Sequence, residues 1–258
     1  MILHDRVVVV SGVGPGLGRA IAVQCARAGA HVVLAARTKD RLEAVAEEVG
    51  ALDRRAVVAP TDITDEDSAE RLLATARQEL GRVDTLVNNA FAMPPMQDLG
   101  ETPFDALRTS FEVNVLAALR LTRLFAPALA EHAGSAVMVN SAVLRHSRQP
   151  YGPYKMAKAS LLALAQSLST ELGPRGIRVN SVAPGWIWGE TLRWYFGHLA
   201  AERGVSAQQV YDETAAALDL RRLPEAEEVA DVVVFLASRL ARAVTGQCVD
   251  VNAGEFHH

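Results

Sequence analysis

Little in this chain points to an oxidised, membrane-bound or nucleic-acid-binding protein. Only two cysteines, Cys25 and Cys248, occur in 258 residues, too few for a disulfide framework. Both are read as small buried residues. No apolar run approaches the roughly 20 residues of a membrane-spanning helix. The stretch from Met1 to Arg6 is too short before the first strand-like run to be a secretory signal. No basic block stands out, and the net charge is −4, so nucleic acid is not an expected partner. The histidines show no metal-ligand spacing such as HExxH, so no metal is expected. Of them, only His146 and His198 are placed near a candidate pocket. There is no repeat, low-complexity tract or linker, which argues for a single domain over residues 1–258 and, by default, a cytoplasmic location.

What is present is regular alternation. Apolar, β-rich runs at Val7–Val10, His31–Ala36, Ala56–Ala59, Val83–Val87, Ala136–Asn140, Arg178–Val182 and Gln247–Val251 are separated by helix-like stretches. That order predicts an α/β fold with a seven-stranded parallel sheet covered on both faces, doubly wound, with ligand at the carboxyl ends of the strands. Thr102-Pro103 reads as a cap and first-turn pair opening one long helix, and Leu223-Pro224-Glu225 opens another.

Two local patterns carry chemistry. Tyr154 and Lys158 are four apart, on one helix face, with Ser141 upstream. An ammonium beside a phenol favours phenolate and lowers the pKa of the phenol, which suits proton exchange near neutral pH. Tyr151 and Lys155 repeat the spacing, but Pro153 fits a first helical turn and leaves Tyr151 at or before the helix start. Tyr151 is therefore read as a pocket wall and Lys155 as a solvated residue. The second pattern is Ser11-Gly12-Val13-Gly14-Pro15-Gly16-Leu17-Gly18, between the run Val7–Val10 and a helix-like segment. Strand, glycine turn and helix together suit a pyrophosphate, because glycine allows close approach and the helix start offers free N–H groups.

Together these residues resemble the short-chain dehydrogenase/reductase family. The loop is similar to its TGxxxGxG pattern with Ser11 in place of Thr. Asp62-Ile63-Thr64-Asp65 resembles the stretch that meets adenine. Asn88-Asn89-Ala90 resembles NNAG, with Phe91 in place of the last glycine. Ile177 to Gly185 resembles the segment leading to the nicotinamide. The resemblance implies a catalytic set of Asn114, Ser141, Tyr154 and Lys158. Tyr154 would exchange the proton of the substrate oxygen while Ser141 hydrogen-bonds that oxygen. Lys158 would lower the tyrosine pKa and bond the nicotinamide ribose, and Asn114 would hold a water leading to Lys158. It further implies a dinucleotide held by Ser11, Gly12, Gly16, Leu17, Gly18, Asp62, Ile63, Asn89, Ala90, Tyr154, Lys158, Pro184, Gly185 and Ile187, and a homotetramer.

Cofactor choice is read after the second strand. Ala36-Arg37-Thr38 has no carboxylate to repel a 2′-phosphate, Arg37 can pair with one and Thr38 can donate a hydroxyl. NADP is favoured over NAD. Substrate class is read from Trp186 to Arg222, a lid-like stretch holding Trp186, Trp188 and Trp194, with Gly189, Gly197 and Gly204 as hinges. Phe91, Val143, Tyr151 and the three tryptophans are expected to line the pocket. Gly189 departs from the family's threonine, and Thr191 stands close by. The expected activity is hydride transfer between the cofactor and a secondary alcohol or ketone of a lipophilic, cyclic small molecule, steroid- or terpenoid-like. The alternatives are a 3-oxoacyl-thioester reductase and a non-catalytic dinucleotide-binding regulator.

Overall fold

The computed structural model describes residues 1–257. Seven strands form one parallel sheet in the order β3-β2-β1-β4-β5-β6-β7. They are β1 (Val7–Ser11), β2 (His31–Ala36), β3 (Ala56–Pro60), β4 (Thr85–Asn88), β5 (Ser135–Val139), β6 (Arg178–Pro184) and β7 (Cys248–Val251). Each expected run holds a strand, with ends shifted by one or two residues. The run Val7–Val10 explains why the sheet must be covered twice. Val8 and Val10 face α1 (Leu17–Arg27), α2 (Lys39–Gly50) and α9 (Ala226–Ala237). Val7 and Val9 face α3 (Glu66–Leu80), α5 (Ala117–Ala130) and α6 (Gly152–Leu172). Side chains alternate across a strand, so only an all-apolar run serves both layers. All four valines are buried, each worth about 1.5–3 kcal/mol relative to exposure.

The order of the strands reverses between β1 and β4, where Ser11 pairs with Asn88. Such a switch point opens a crevice at the carboxyl ends of the strands. The glycine turn, the Asn88-Asn89 turn, the turn after β5 with Ser141 and the turn after β6 with Gly185 all leave the sheet at that edge.

Two helix expectations need correction. Thr102 does not cap a helix: its hydroxyl donates to the Asp98 carbonyl at 2.9 Å, and α4 (Phe104–Phe111) starts from Pro103 without a side-chain cap. The long helix also does not run regularly. Glu112–Leu116 is a π-helical turn between α4 and α5, and it holds Asn114. Length and composition would let the span Phe104–Ala130 cross a membrane, contrary to the reading that no such run exists, but over half of its apolar window is buried inside the protein. The start of α9 is as expected in place, capped reciprocally by Glu225 and Glu228.

Residues 186–222 build a separate small core. In α7 (Glu190–Arg203) and α8 (Ala207–Ala216), Phe196, Ala200, Val210 and Ala215 pack with Leu223 against Trp186, Trp188 and Tyr211. The Trp188 N–H donates to the Pro224 carbonyl at 2.7 Å, which pins the entry of the lid beside its exit.

Candidate active site

Ser141 lies just past the end of β5 and caps the short turn that follows, its Oγ accepting from the Val143 N–H at 3.2 Å. Tyr154 and Lys158 lie one turn apart on α6, whose first turn holds Pro153, while Tyr151 sits at its N-cap. The helix thus starts where Pro153 placed it, with Tyr151 before its first turn. A hydrogen bond from Ser141 reaches the Tyr154 phenol. Burial nevertheless pushes the Tyr154 pKa up to about 12, against the weaker downward pull of Ser141. Lys158 is buried, and desolvation brings its pKa down to about 7. Its ammonium donates to the Val139 carbonyl at 2.9 Å and lies 5.8 Å from the centre of the Tyr154 ring. The expectation that Lys158 lowers the tyrosine pKa is thus not met in this structure. Burial of both groups outweighs their attraction, and it opposes the charged form of each.

Asn114 is buried on its π turn. Its amide donates to the carbonyls of Ala92 and Ser110, both at 2.8 Å, while its Oδ1 has no protein partner. An interrupted helix brings Asn114 into the loop after β4, as π turns at functional sites commonly do. A buried acceptor with no partner is where an ordered water fits.

The dinucleotide residues converge at the switch point. Gly12 has φ +80°, and a side chain there would run into the Ala90 backbone; one at Gly18 would strike the Gly12 carbonyl. Asn89 donates its amide to that same carbonyl at 2.7 Å, so it braces the turn. Ser11 braces it too, donating to the Val87 carbonyl. Gly16 is the N-cap of α1, which has no side-chain cap and no acid in its first turn. That leaves the helix start, with Leu17 and Gly18, open to an anion. Arg37 and Thr38 are exposed after β2, and Thr38 makes no capping bond although it is the N-cap of α2. Asp62 is held charged by hydrogen bonds from Thr64 and, more weakly, by Arg37. Ile63 follows it, half-buried. These features fit a nicotinamide dinucleotide: close-approach glycines, an uncapped helix start, an exposed cation and the buried Lys158.

A cleft of about 450 Å³ opens beside Ser141 and Tyr154. Its walls include Val143, Tyr151, Pro184, Gly185, Trp186, Ile187, Trp194 and, from the loop after β4, Met93 and Met96. Thr191 also lines it, as does His146, whose ring meets Tyr151 edge-on. Two expected wall residues lie elsewhere. Trp188 is spent inside the lid, against Phe196 and Tyr211 with Arg193 over its ring. Phe91 stands over Lys158, 5.9 Å from its ammonium, instead of in the cleft wall. His198 stacks on Trp194. Lys155 is not simply solvated: it donates to the His146 carbonyl at 2.6 Å and to Ser147, holding the loop that leads into α6. The wall formed by Arg148, Glu255 and Phe256 was not found from the sequence, because the tail that supplies Glu255 and Phe256 is distant in the chain from the other cleft residues.

The chain matches, over residues 12–255, the family model described as enoyl-(acyl carrier protein) reductase. Dehydrogenase/reductase SDR family member 4 of Bos taurus is 30% identical over 99% of this chain and 89% of that protein. This protein belongs to the short-chain dehydrogenase/reductase family. L-rhamnose 1-dehydrogenase (NAD(P)(+)) of Azotobacter vinelandii is 34% identical over 99% and 98% of the two chains. The solved structure of a 7α-hydroxysteroid dehydrogenase, complexed with NADH and 7-oxo glycochenodeoxycholic acid, has a TM-score of 0.86 at 29% identity, covering 98% and 94%. Like other members of the short-chain dehydrogenase/reductase family, this chain is an NAD(P)-dependent oxidoreductase acting on CH–OH groups.

Proposed function

We propose that this enzyme interconverts a secondary alcohol and a ketone on a lipophilic, cyclic small molecule, with NADP as the preferred cofactor. The observation that carries the reading is the meeting of Ser141 and Tyr154 in the wall of a mostly apolar, aromatic-lined cleft. The cofactor supplies or accepts the hydride. Tyr154 gives its proton to the nascent alkoxide during reduction. Ser141 donates to the substrate oxygen and stabilises the charge developing there. Lys158 stands beside the phenol, 5.8 Å from the ring centre, and would reach the cofactor ribose. The unpartnered Oδ1 of Asn114 supports a water leading to that lysine. Gly12, Gly16, Leu17 and Gly18 admit the pyrophosphate, Asp62 and Ile63 flank the adenine, and Pro184, Gly185 and Ile187 face the nicotinamide. Of the relatives, the hydroxysteroid dehydrogenase supports this reading, since its substrate is a cyclic secondary alcohol, whereas the rhamnose enzyme is named for C1, a hemiacetal carbon. We place the enzyme in the cytoplasm as a homotetramer, one unit per chain with its lid over about residues 186–222.

The test is an assay of NADPH and NADH against cyclic ketones, ketosteroids and acetoacetyl thioesters. The expected result is reduction of the cyclic ketones with NADPH. Reduction confined to acetoacetyl thioesters would replace this reading with the 3-oxoacyl-thioester one. No reduction of any carbonyl with either cofactor would favour a silent dinucleotide-binding regulator.

Cofactor preference gives a separate prediction. Ala36→Asp combined with Arg37→Gln places a carboxylate at the end of β2 and removes the exposed cation. The ratio of kcat/KM for NADPH to that for NADH is expected to fall at least about tenfold, the scale of one charge-assisted hydrogen bond. A wild-type enzyme that strongly prefers NADH would sink the assignment of Arg37.

A further inference from the structure

One side chain in the cleft has no part in the chemistry described so far. Glu255 lies in the wall among Trp186, Phe256 and Tyr151, with its side chain only 9% exposed. A carboxylate in a mostly apolar wall costs stability unless its oxygens are used. It has two side-chain partners. Trp186 and Arg148 both favour its charged form, and Arg148, itself half in solvent, stands 3.6 Å away. A carboxylate offers about four acceptor positions. Those two partners do not compensate for burial, which pushes the Glu255 pKa above the ordinary carboxylate range despite both of them.

The tail that presents Glu255 is fixed in place. Gly254 has φ +82°, and a side chain there would overlap Asp219 at the end of the lid. The Gly254 N–H donates to the Asn252 side chain, whose amide donates in turn to the Phe256 carbonyl. His257 bonds Asp219 at 2.8 Å. Between these two ties the chain has little freedom except to turn Glu255 inward. Its Oε2 then faces Gly185, where an added Cβ would lie 3.2 Å away.

We propose that Glu255 is a specificity-determining residue of this cleft, accepting a hydrogen bond from a second hydroxyl group of the substrate, remote from the carbon that exchanges hydride. This rests on the reading of the cleft as the site of alcohol–ketone chemistry. A neutral donor fits better than a charged one. Arg148 already balances the carboxylate, so a substrate cation gains little, and a substrate anion is repelled by Glu255. A hydroxyl adds a donor without adding charge. A buried acceptor built for a hydroxyl also rejects a substrate that lacks it, because the acceptor is then left unpaired. The favoured substrate is therefore a hydroxylated ring whose apolar faces pack on Trp186, Met93 and Met96.

The test compares cyclohexanone with the 2-, 3- and 4-hydroxycyclohexanones and their methyl ethers, using wild type, Glu255→Gln and Glu255→Met. At least one hydroxyketone is expected to exceed its methyl ether and cyclohexanone by roughly tenfold or more in kcat/KM, mainly through KM. That ratio should shrink in Glu255→Gln, which keeps an acceptor, and fall to about one in Glu255→Met. A wild-type enzyme that does not distinguish any hydroxyketone from its ether overturns the assignment without using a variant. Variants that slow every ketone by the same factor overturn it as well, since Glu255 would then be a structural residue. Inactivity of wild type on every ketone with both cofactors would overturn the reading of function, and this assignment with it.

Discussion

Tyr154→Phe is expected to lower turnover by at least about 100-fold while leaving cofactor affinity close to wild type, the scale for losing a general acid. The phenol is the group in the cleft wall that is paired with Ser141. Phenylalanine keeps the packing of the ring and removes only the hydroxyl. With a pKa pushed up to about 12, Tyr154 keeps its proton throughout the neutral range. Ketone reduction should therefore show no loss from pH 6 to pH 9 that belongs to this group, whereas alcohol oxidation, which needs the phenolate, should rise with pH. Tyr151→Phe should cost far less, because Tyr151 faces His146 and the cleft but not Ser141. Steady-state kinetics with cofactor titration would separate the two. A Tyr151 variant that is dead beside a working Tyr154 variant would refute the assignment.

Lys158→Met is expected to abolish activity and yet to change stability in a direction that depends on pH. Desolvation holds the Lys158 pKa at about 7 in the folded protein, against an ordinary value of 10.5. Between those values the unfolded chain binds a proton that the folded chain does not. Stability of the cofactor-free protein therefore rises with pH across that window, by up to about 1.4 kcal/mol per pH unit from this group. Below about pH 7 both states are protonated, and the full penalty of a buried ammonium remains. Lys158→Met removes the penalty and the slope together. Denaturant unfolding of wild type and variant at pH 6 and pH 9 should show the variant gaining relative to wild type, with the larger gain at pH 6. A difference that is the same at both pH values would show that Lys158 is not desolvated as described.

Much of this arrangement was legible because it is local. A run such as Val7–Val10 must be buried on both faces, and a glycine that cannot carry a side chain, such as Gly12, marks a close approach within a few residues of its strand. The spacing of Tyr154 and Lys158 fixes their common face whatever surrounds them. What escaped depends on contacts distant in sequence. Trp186 and Trp188 look equivalent on paper and both touch Phe196, but Tyr211 and Arg193 enclose Trp188 in the lid while Trp186 is left on the cleft. Lys155 looks free until the loop at His146 folds back over it. Glu255 reaches the cleft because the tail is tied to Asp219, far away in the chain. The pKa of Tyr154 was misjudged for a related reason. Spacing shows that a cation is near, but not how much water both groups have lost.

The turn at Glu112–Leu116 has a further meaning when read as genetics. A π turn contains one residue more than the α turn it replaces. The 27-residue span is then equivalent to an ordinary helix with one residue added. The flanking halves keep their apolar faces on the sheet, since the extra residue is absorbed locally, and only the inserted turn is displaced toward the loop after β4. Asn114 reaches the Ala92 carbonyl through that displacement. The helix and the placement of Asn114 are in this way separable by a single insertion or deletion, so a chain of this fold can lose the contact between Asn114 and the Ala92 carbonyl in one step without losing the helix.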